Sequence, residues 1–115
     1  MKKIYLAAPY SHDEESVIEW RVEQVDKKAA ELMEEGHIVF SPISHSHGIN
    51  RYIKQSNNNH NFWLAQDLPF FEFCTDFYEY RLPGWSLSKG LWAERLRAIE
   101  KLGLKHTEVI PIELD

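Results

Sequence analysis

The sequence holds one cysteine, Cys74, and lacks long apolar runs. A single cysteine excludes a disulfide framework within the chain and suits a reducing, cytoplasmic setting. No stretch approaches the roughly 20 apolar residues that span a bilayer, so no membrane association is expected. The opening MKKIYLAAPY carries two lysines, but its apolar run is too short for a secretory signal. Basic residues are also few: 13 Lys and Arg face 18 Asp and Glu, for a net charge of -5. No basic stripe is present, so a nucleic acid polymer is not an expected partner. A small nucleotide stays compatible, because local backbone donors hold one phosphate despite the overall charge. Internal repeats, linkers and low-complexity segments are absent as well.

What is present is ordinary globular material. Hydrophobic residues make up 43% and charged residues 27%, which argues against disorder. The 115 residues fit one domain spanning 1–115. A domain this small buries a modest share of its surface, so a homo-oligomer, dimer or tetramer, is expected. Aromatics reach 13%, with four Trp, enough to fill a core, an oligomer surface or a base-stacking pocket.

Along the chain, Ile4 to Ala8 reads as a buried strand closed by Pro9. Ser11, His12 and Asp13 offer helix caps. Val17, Trp20 or Arg21, Val25, Ala29 and Leu32 then recur at helical spacing over Glu14 to Glu35, with Gly36 as the stop. His37 to Phe40 reads as a second strand ended by Ser41-Pro42. Ser41 to Asn61 reads as a long irregular loop, and Gln55 to His60 within it as exposed. Asn61 to Phe73 reads as a helix with Trp63 and Leu64 inward. Thr75 to Leu82 reads as a third strand, polar for a central one because of Asp76 and Glu79. Leu87 to Leu102 reads as a helix capped by Ser86 or Ser88 and stopped by Gly103, and Val109 to Ile112 as the last strand.

This alternation predicts a single-domain α/β sandwich: a four- to five-stranded, mainly parallel sheet with helices on both faces. Ligands of such sheets sit outside the carboxyl ends of the strands. That rule selects Ala8 to Asp13, Ser41 to Gly48 and Leu82 to Gly90. Ala8 and Pro9 are accordingly expected against the substrate. His45 and His47, with His60, suggest a metal, since positions two apart share a face in extended chain. No cysteine or carboxylate completes a zinc pattern, so no metal is expected, and His45 is read as a pocket wall or substrate contact.

Three segments carry a resemblance: IYLAAPYSH, GHIVFSPISHSHGI and LPGWSLSKGLWAE. In this order they resemble the nucleoside 2-deoxyribosyltransferase-like superfamily and, more narrowly, its DUF1937 group of small bacterial and phage proteins. The resemblance implies a flavodoxin-like sandwich that cleaves or exchanges a base on a ribose or deoxyribose. It implies a catalytic glutamate at Glu94, four residues after Gly90, and a sugar or phosphate contact at Ser88, six residues before it. Serine in place of the transferases' aspartate points to a nucleoside 5′-monophosphate. The second carboxylate best matches Asp67, with one residue more than usual between it and Asp76.

Breaking an N-glycosidic bond develops oxocarbenium character, which a carboxylate stabilises or captures as a glycosyl-enzyme. Glu94 is expected in that role and Asp67 as the acid that protonates the leaving base. Tyr5 or Tyr10 would orient the glutamate or stack on the base. Tyr10, just past the strand end, is the better placed and joins the catalytic set. Ser86, Ser88 and the backbone near Gly90 would meet a phosphate, and Trp85 would be a base platform, a core anchor or an interface residue. No metal and no organic cofactor is required. The competing reading is a module on the same scaffold that binds a nucleotide or sugar phosphate without turnover.

Overall fold

The computed structural model describes residues 1–54 and 60–111. The first strand, β1 (Lys3–Ala7), leads to helix α1 (Glu15–Glu34), strand β2 (Ile38–Phe40) and helix α2 (Pro42–Asn50). Helix α3 (His60–Phe73), strand β3 (Asp76–Tyr80) and a 3-10 turn at Trp85–Leu87 follow. Helix α4 (Lys89–Arg95) runs into a π-helical turn at Leu96–Lys101, and strand β4 (Lys105–Val109) ends the domain.

The four strands form one parallel sheet in the order β2-β1-β3-β4. Helices cover both faces, as the alternation of elements predicts, and the arrangement is Rossmann-like. Strand β1 is buried on both sides, which explains its unbroken apolar run. Ile4 and Leu6 face α1 through Val25, Ala29 and Leu32. Tyr5 and Ala7 face the other way, onto Phe71, Leu91 and Ala98. No helix among the described residues is long and apolar enough to cross a membrane.

Strand β3 is central and regular despite its polar residues, so the polarity does not distort the sheet. Glu79 is only 1% exposed, yet Arg81 lies 2.9 Å and His106 3.3 Å from its carboxylate, with Arg95 at 3.7 Å. Arg81 also reaches Glu108 at 2.8 Å. A buried charge persists when paired and hydrogen-bonded in this way.

Three sequence expectations need correction. The segment expected as loop after β2 contains a helix, α2. Ser41 caps it through Ser44 N–H and Pro42 occupies its first turn, where a missing N–H costs nothing. Its polar composition leaves almost no apolar periodicity, which hid it. The last strand is Lys105–Val109 rather than Val109–Ile112; it is an edge strand, and its exposed Lys105 and Glu108 masked it. The single helix expected from Leu87 is a 3-10 turn, an α-helix and a π turn in succession. Gln55 to Asn59, expected as exposed loop, and Ile112 lie outside the described residues.

Candidate functional site

The strand order reverses between β1 and β3: β2 lies to one side of this parallel pair and β4 to the other. The loops leaving these two strands therefore diverge and open a crevice at their carboxyl ends. A cleft of about 310 Å³ occupies it. Ala8 and Tyr10 line it after β1, one face of α2 including His47 and Asn50, Trp63, Leu64 and Asp67 on α3, and Ser88, Gly90 and Glu94 at the start of α4.

A buried arginine ties two of these walls together. Arg21 projects from α1 and donates to the carbonyls of Ser11 (2.8 Å), Tyr10 (3.3 Å) and Pro83 (3.0 Å). The loop after β1 and the loop after β3 are thus held by one guanidinium. Gly84, next in chain, has φ +89°, and a Cβ there would stand 2.6 Å from Arg21 Nη2. Only glycine meets both demands at low cost.

Two carboxyl groups converge on the cleft. Asp67 comes from α3 and Glu94 from α4, and both line it. Between them lies the phenol of Tyr5, fully buried on β1 and stacked on Phe71 at 4.0 Å. The Tyr5 hydroxyl donates to Glu94 Oε2 at 2.5 Å and also interacts with Asp67. Burial pushes the pKa of Asp67 up to about 7 and that of Glu94 up to about 8. The Tyr5 hydroxyl opposes both rises, and the neighbouring Asp67 adds to that of Glu94. Burial, then Glu94 and Asp67, hold the Tyr5 phenol well above its ordinary value, so it stays a hydrogen-bond donor. The two carboxyls titrate as a pair, and between about pH 7 and 8 the pair holds one proton.

Ser88 has a double placement. Its side chain accepts from the Leu91 N–H at 3.2 Å as the cap of α4, and it also lines the cleft. Gly90 lines the cleft as well. Other expected residues lie elsewhere. Pro9 is buried behind the wall that Ala8 and Tyr10 form. His45 is exposed and turns toward the Phe40 and Phe70 rings rather than into the cleft. Residues two apart on a helix point about 200° apart, so His47 faces the cleft instead; the extended-chain argument does not hold inside α2. Trp85 packs on Arg81, 4.0 Å from ring centroid to guanidinium, and against the Tyr5–Phe71 core, as an anchor rather than a base platform. Ser86 is exposed in the 3-10 turn and outside the cleft wall, and the capping falls to Ser88.

Among the lining residues, His47 and Asn50 were not singled out as pocket contacts, nor were Ser11 and Lys89, although the selected carboxyl-end segments include Ser11, His47 and Lys89. The first two sit on the unrecognised helix; Lys89 adjoins Ser88, and that adjacency was the available signal. Among the described residues, Glu79, His106 and Glu108 bring possible metal donors within 4.8 Å of one another. Arg81 already bridges both carboxylates there, which leaves that group a charge network.

Replacing Tyr5 by Phe tests the arrangement. The variant is expected to fold, since the ring stays packed. It loses the donor that favours ionised Glu94, so the acidic limb of any pH–activity profile moves to higher pH and turnover falls about tenfold. An unchanged profile would show that the phenol does not govern Glu94.

Fold and site together define a Rossmann-like α/β domain with a carboxyl pair, Asp67 buried and Glu94 half-buried, in its switch-point cleft. The chain belongs to the family described as Domain of unknown function (DUF1937), whose model matches residues 2–108. No curated protein matches the sequence.

Proposed function

We propose that this cleft breaks, or exchanges, the N-glycosidic bond of a nucleoside or nucleoside 5′-monophosphate. The observation that carries the reading is the convergence of Asp67 and Glu94 on one cleft around the Tyr5 hydroxyl. The resemblance to nucleoside 2-deoxyribosyltransferase-like proteins supports it, because the matching segments supply Tyr5, Tyr10, Ser88 and Glu94.

The reaction needs one ionised and one protonated carboxyl, which is the state the pair adopts between about pH 7 and 8. In the free cleft Glu94 is the weaker acid and holds that proton; for reaction it passes to Asp67, and the Tyr5 hydroxyl, which donates to Glu94 Oε2, stabilises the carboxylate this leaves on Glu94. Its oxygen attacks the anomeric carbon as the bond to the base breaks. Asp67 gives its proton to the departing base nitrogen. Asp67 then accepts a proton from a water, which releases the sugar, or from a second base, which completes transfer. Trp63, Leu64 and Ile43 supply apolar surface for a base, and Ser88 and Lys89 offer donors to a 5′ group.

Incubation with nucleosides and their 5′-monophosphates, with and without an acceptor base, tests the reading by chromatography of free base. Base release is expected, with a bell-shaped kcat/KM against pH. Activity falls below about 7, where both carboxyls are protonated, and above about 8, where both are ionised. Silence across the whole panel would count against the reaction.

A binding module is the second reading. It is favoured by the carboxyl of Glu94 lying at about 8, so that much of it is protonated at neutral pH. Thermal stabilisation by nucleotides without any product would select it.

A further inference from the structure

Strand β4 ends the sheet, and among the described residues no strand pairs with its outer edge. The Lys105 N–H donates to the Thr75 carbonyl, and the Val109 carbonyl accepts from the Arg81 N–H, so both residues turn their backbone groups toward β3. Direction alternates along a strand, and the N–H and C=O of His106 and Glu108 therefore point outward. An open ladder of this kind is a template for another strand unless something covers it. Side chains alternate as well. His106 and Glu108 pair with Phe77 and Glu79 and share with Glu79 the face that carries α4, where Arg95 approaches that carboxylate. On this face Trp92, Leu96 and Ile99 border a hollow of about 290 Å³ that reaches His106. Trp92 is 48% exposed and Leu96 46%. Open backbone and exposed apolar side chains thus lie side by side at one edge.

We infer that this edge pairs with the same edge of a second copy of the chain, β4 antiparallel to β4 about a two-fold axis at Thr107, so that one sheet runs through both copies. The axis stands normal to the sheet and keeps its two faces, so residues set opposite one another lie an even number of positions apart. Centred on Thr107, the pairing sets His106 opposite Glu108 of the second copy, and Glu108 opposite its His106. These are the residues whose backbone groups point outward, so each such pair exchanges both of its N–H···O=C bonds. An imidazole meets a carboxylate at both places, and Glu108 of the second copy extends the network that already joins Arg81, Glu79 and His106. Thr107 meets its own counterpart, and Lys105 falls opposite Val109, clear of another cation. An axis at Glu108 would set two carboxylates face to face, which destabilises a pair of strands, and one at His106 would drop Val109 from the ladder. The strand is complementary to itself in charge and in hydrogen bonding, and that selects a second copy as the occupant.

Sedimentation velocity over a concentration series tests the pairing, together with substitutions at the axis. The wild-type chain is expected to sediment as a dimer, at twice 13.6 kDa, and to dissociate on dilution. Thr107→Lys sets two ammonium groups opposite each other and should raise the dimer dissociation constant at least about tenfold. Thr107→Cys should link two chains through a disulfide under mild oxidation, because opposed residues of a non-hydrogen-bonded pair have Cα atoms about 4.5 Å apart, within disulfide reach. The native Cys74 is buried and takes no part. Ile38→Cys, exposed on the opposite edge of the sheet, should not cross-link. A chain that stays monomeric at every concentration would overturn the inference. So would a dimer that Thr107→Lys leaves intact, a Thr107→Cys protein that does not cross-link, or cross-linking as ready through Ile38→Cys. The cysteine variant keeps the test decisive if the lysine variant does not fold. The pairing is independent of the glycosidic reading, and neither outcome bears on the other.

Discussion

Glu94→Gln is expected to lower base release by at least about 1000-fold and, at the same time, to stabilise the folded protein in alkali. Amide nitrogen cannot replace the attacking oxygen, and the remaining amide oxygen still accepts from Tyr5. The stability effect follows from linkage. The pKa of Glu94 rises from 4.5 to about 8 on folding because burial penalises the charge. A group raised in this way favours the folded state fully at low pH, and the advantage is lost as pH climbs toward the folded value. Glutamine does not titrate. Variant and wild type should therefore match near pH 4, and the variant should lead increasingly between about pH 5 and 8. A tenfold change in a carboxyl's proton affinity is worth about 1.4 kcal/mol. The coupled Asp67 shares the effect, so the lead at pH 9 should be about 3 kcal/mol, or roughly 10 °C in Tm. Thermal melts across pH measure this. A difference that stays constant from pH 4 to 9 would mean that Glu94 does not bear a buried charge.

Arg21→Ala should cost about 3 kcal/mol, measured by denaturant unfolding. The substitution strips donors from three carbonyls at the cleft walls, each of which carries a desolvation cost once unpaired. Ligand affinity should fall beyond the loss of stability, because the loops after β1 and β3 are no longer tied. Gly84→Ala should also destabilise, through its positive φ and the 2.6 Å approach to Arg21 Nη2. The two changes are expected to combine less than additively, since removing the guanidinium removes the clash and leaves only the backbone strain. Full additivity would indicate that the two residues do not share the contact.

The gap between sequence and structure has a consistent physical origin. Elements whose burial follows local periodicity were legible: β1 as an apolar run, α1 through Val25, Ala29 and Leu32, and α3 up to Phe73. Helix α2 was not, because a helix this polar carries no apolar stripe, although Ser41-Pro42 was a start signal. That omission propagated into the site: it put His45 where His47 belongs and left Asn50 unconsidered. Strand β4 was misplaced because an edge strand tolerates charge, and Lys105 to Glu108 does not read as buried.

The candidate site divides in the same way. The sequence alone determined an α/β chain, the carboxyl-end segments that could bind, and the residue types available there, Glu94, Asp67, Tyr5, Tyr10 and Ser88 among them. These follow from propensity, patterning and motif order, all local properties. Tertiary structure alone decided which of them meet. Asp67 and Glu94 lie on different helices, and only the order β2-β1-β3-β4 brings both onto the Tyr5 hydroxyl. Their raised pKa values come from burial, which the fold imposes. Arg21 shows the same principle at its simplest: one position in an amphipathic helix, legible only as a periodic residue, becomes the tie between two cleft walls because its three carbonyl partners come from two loops distant in sequence.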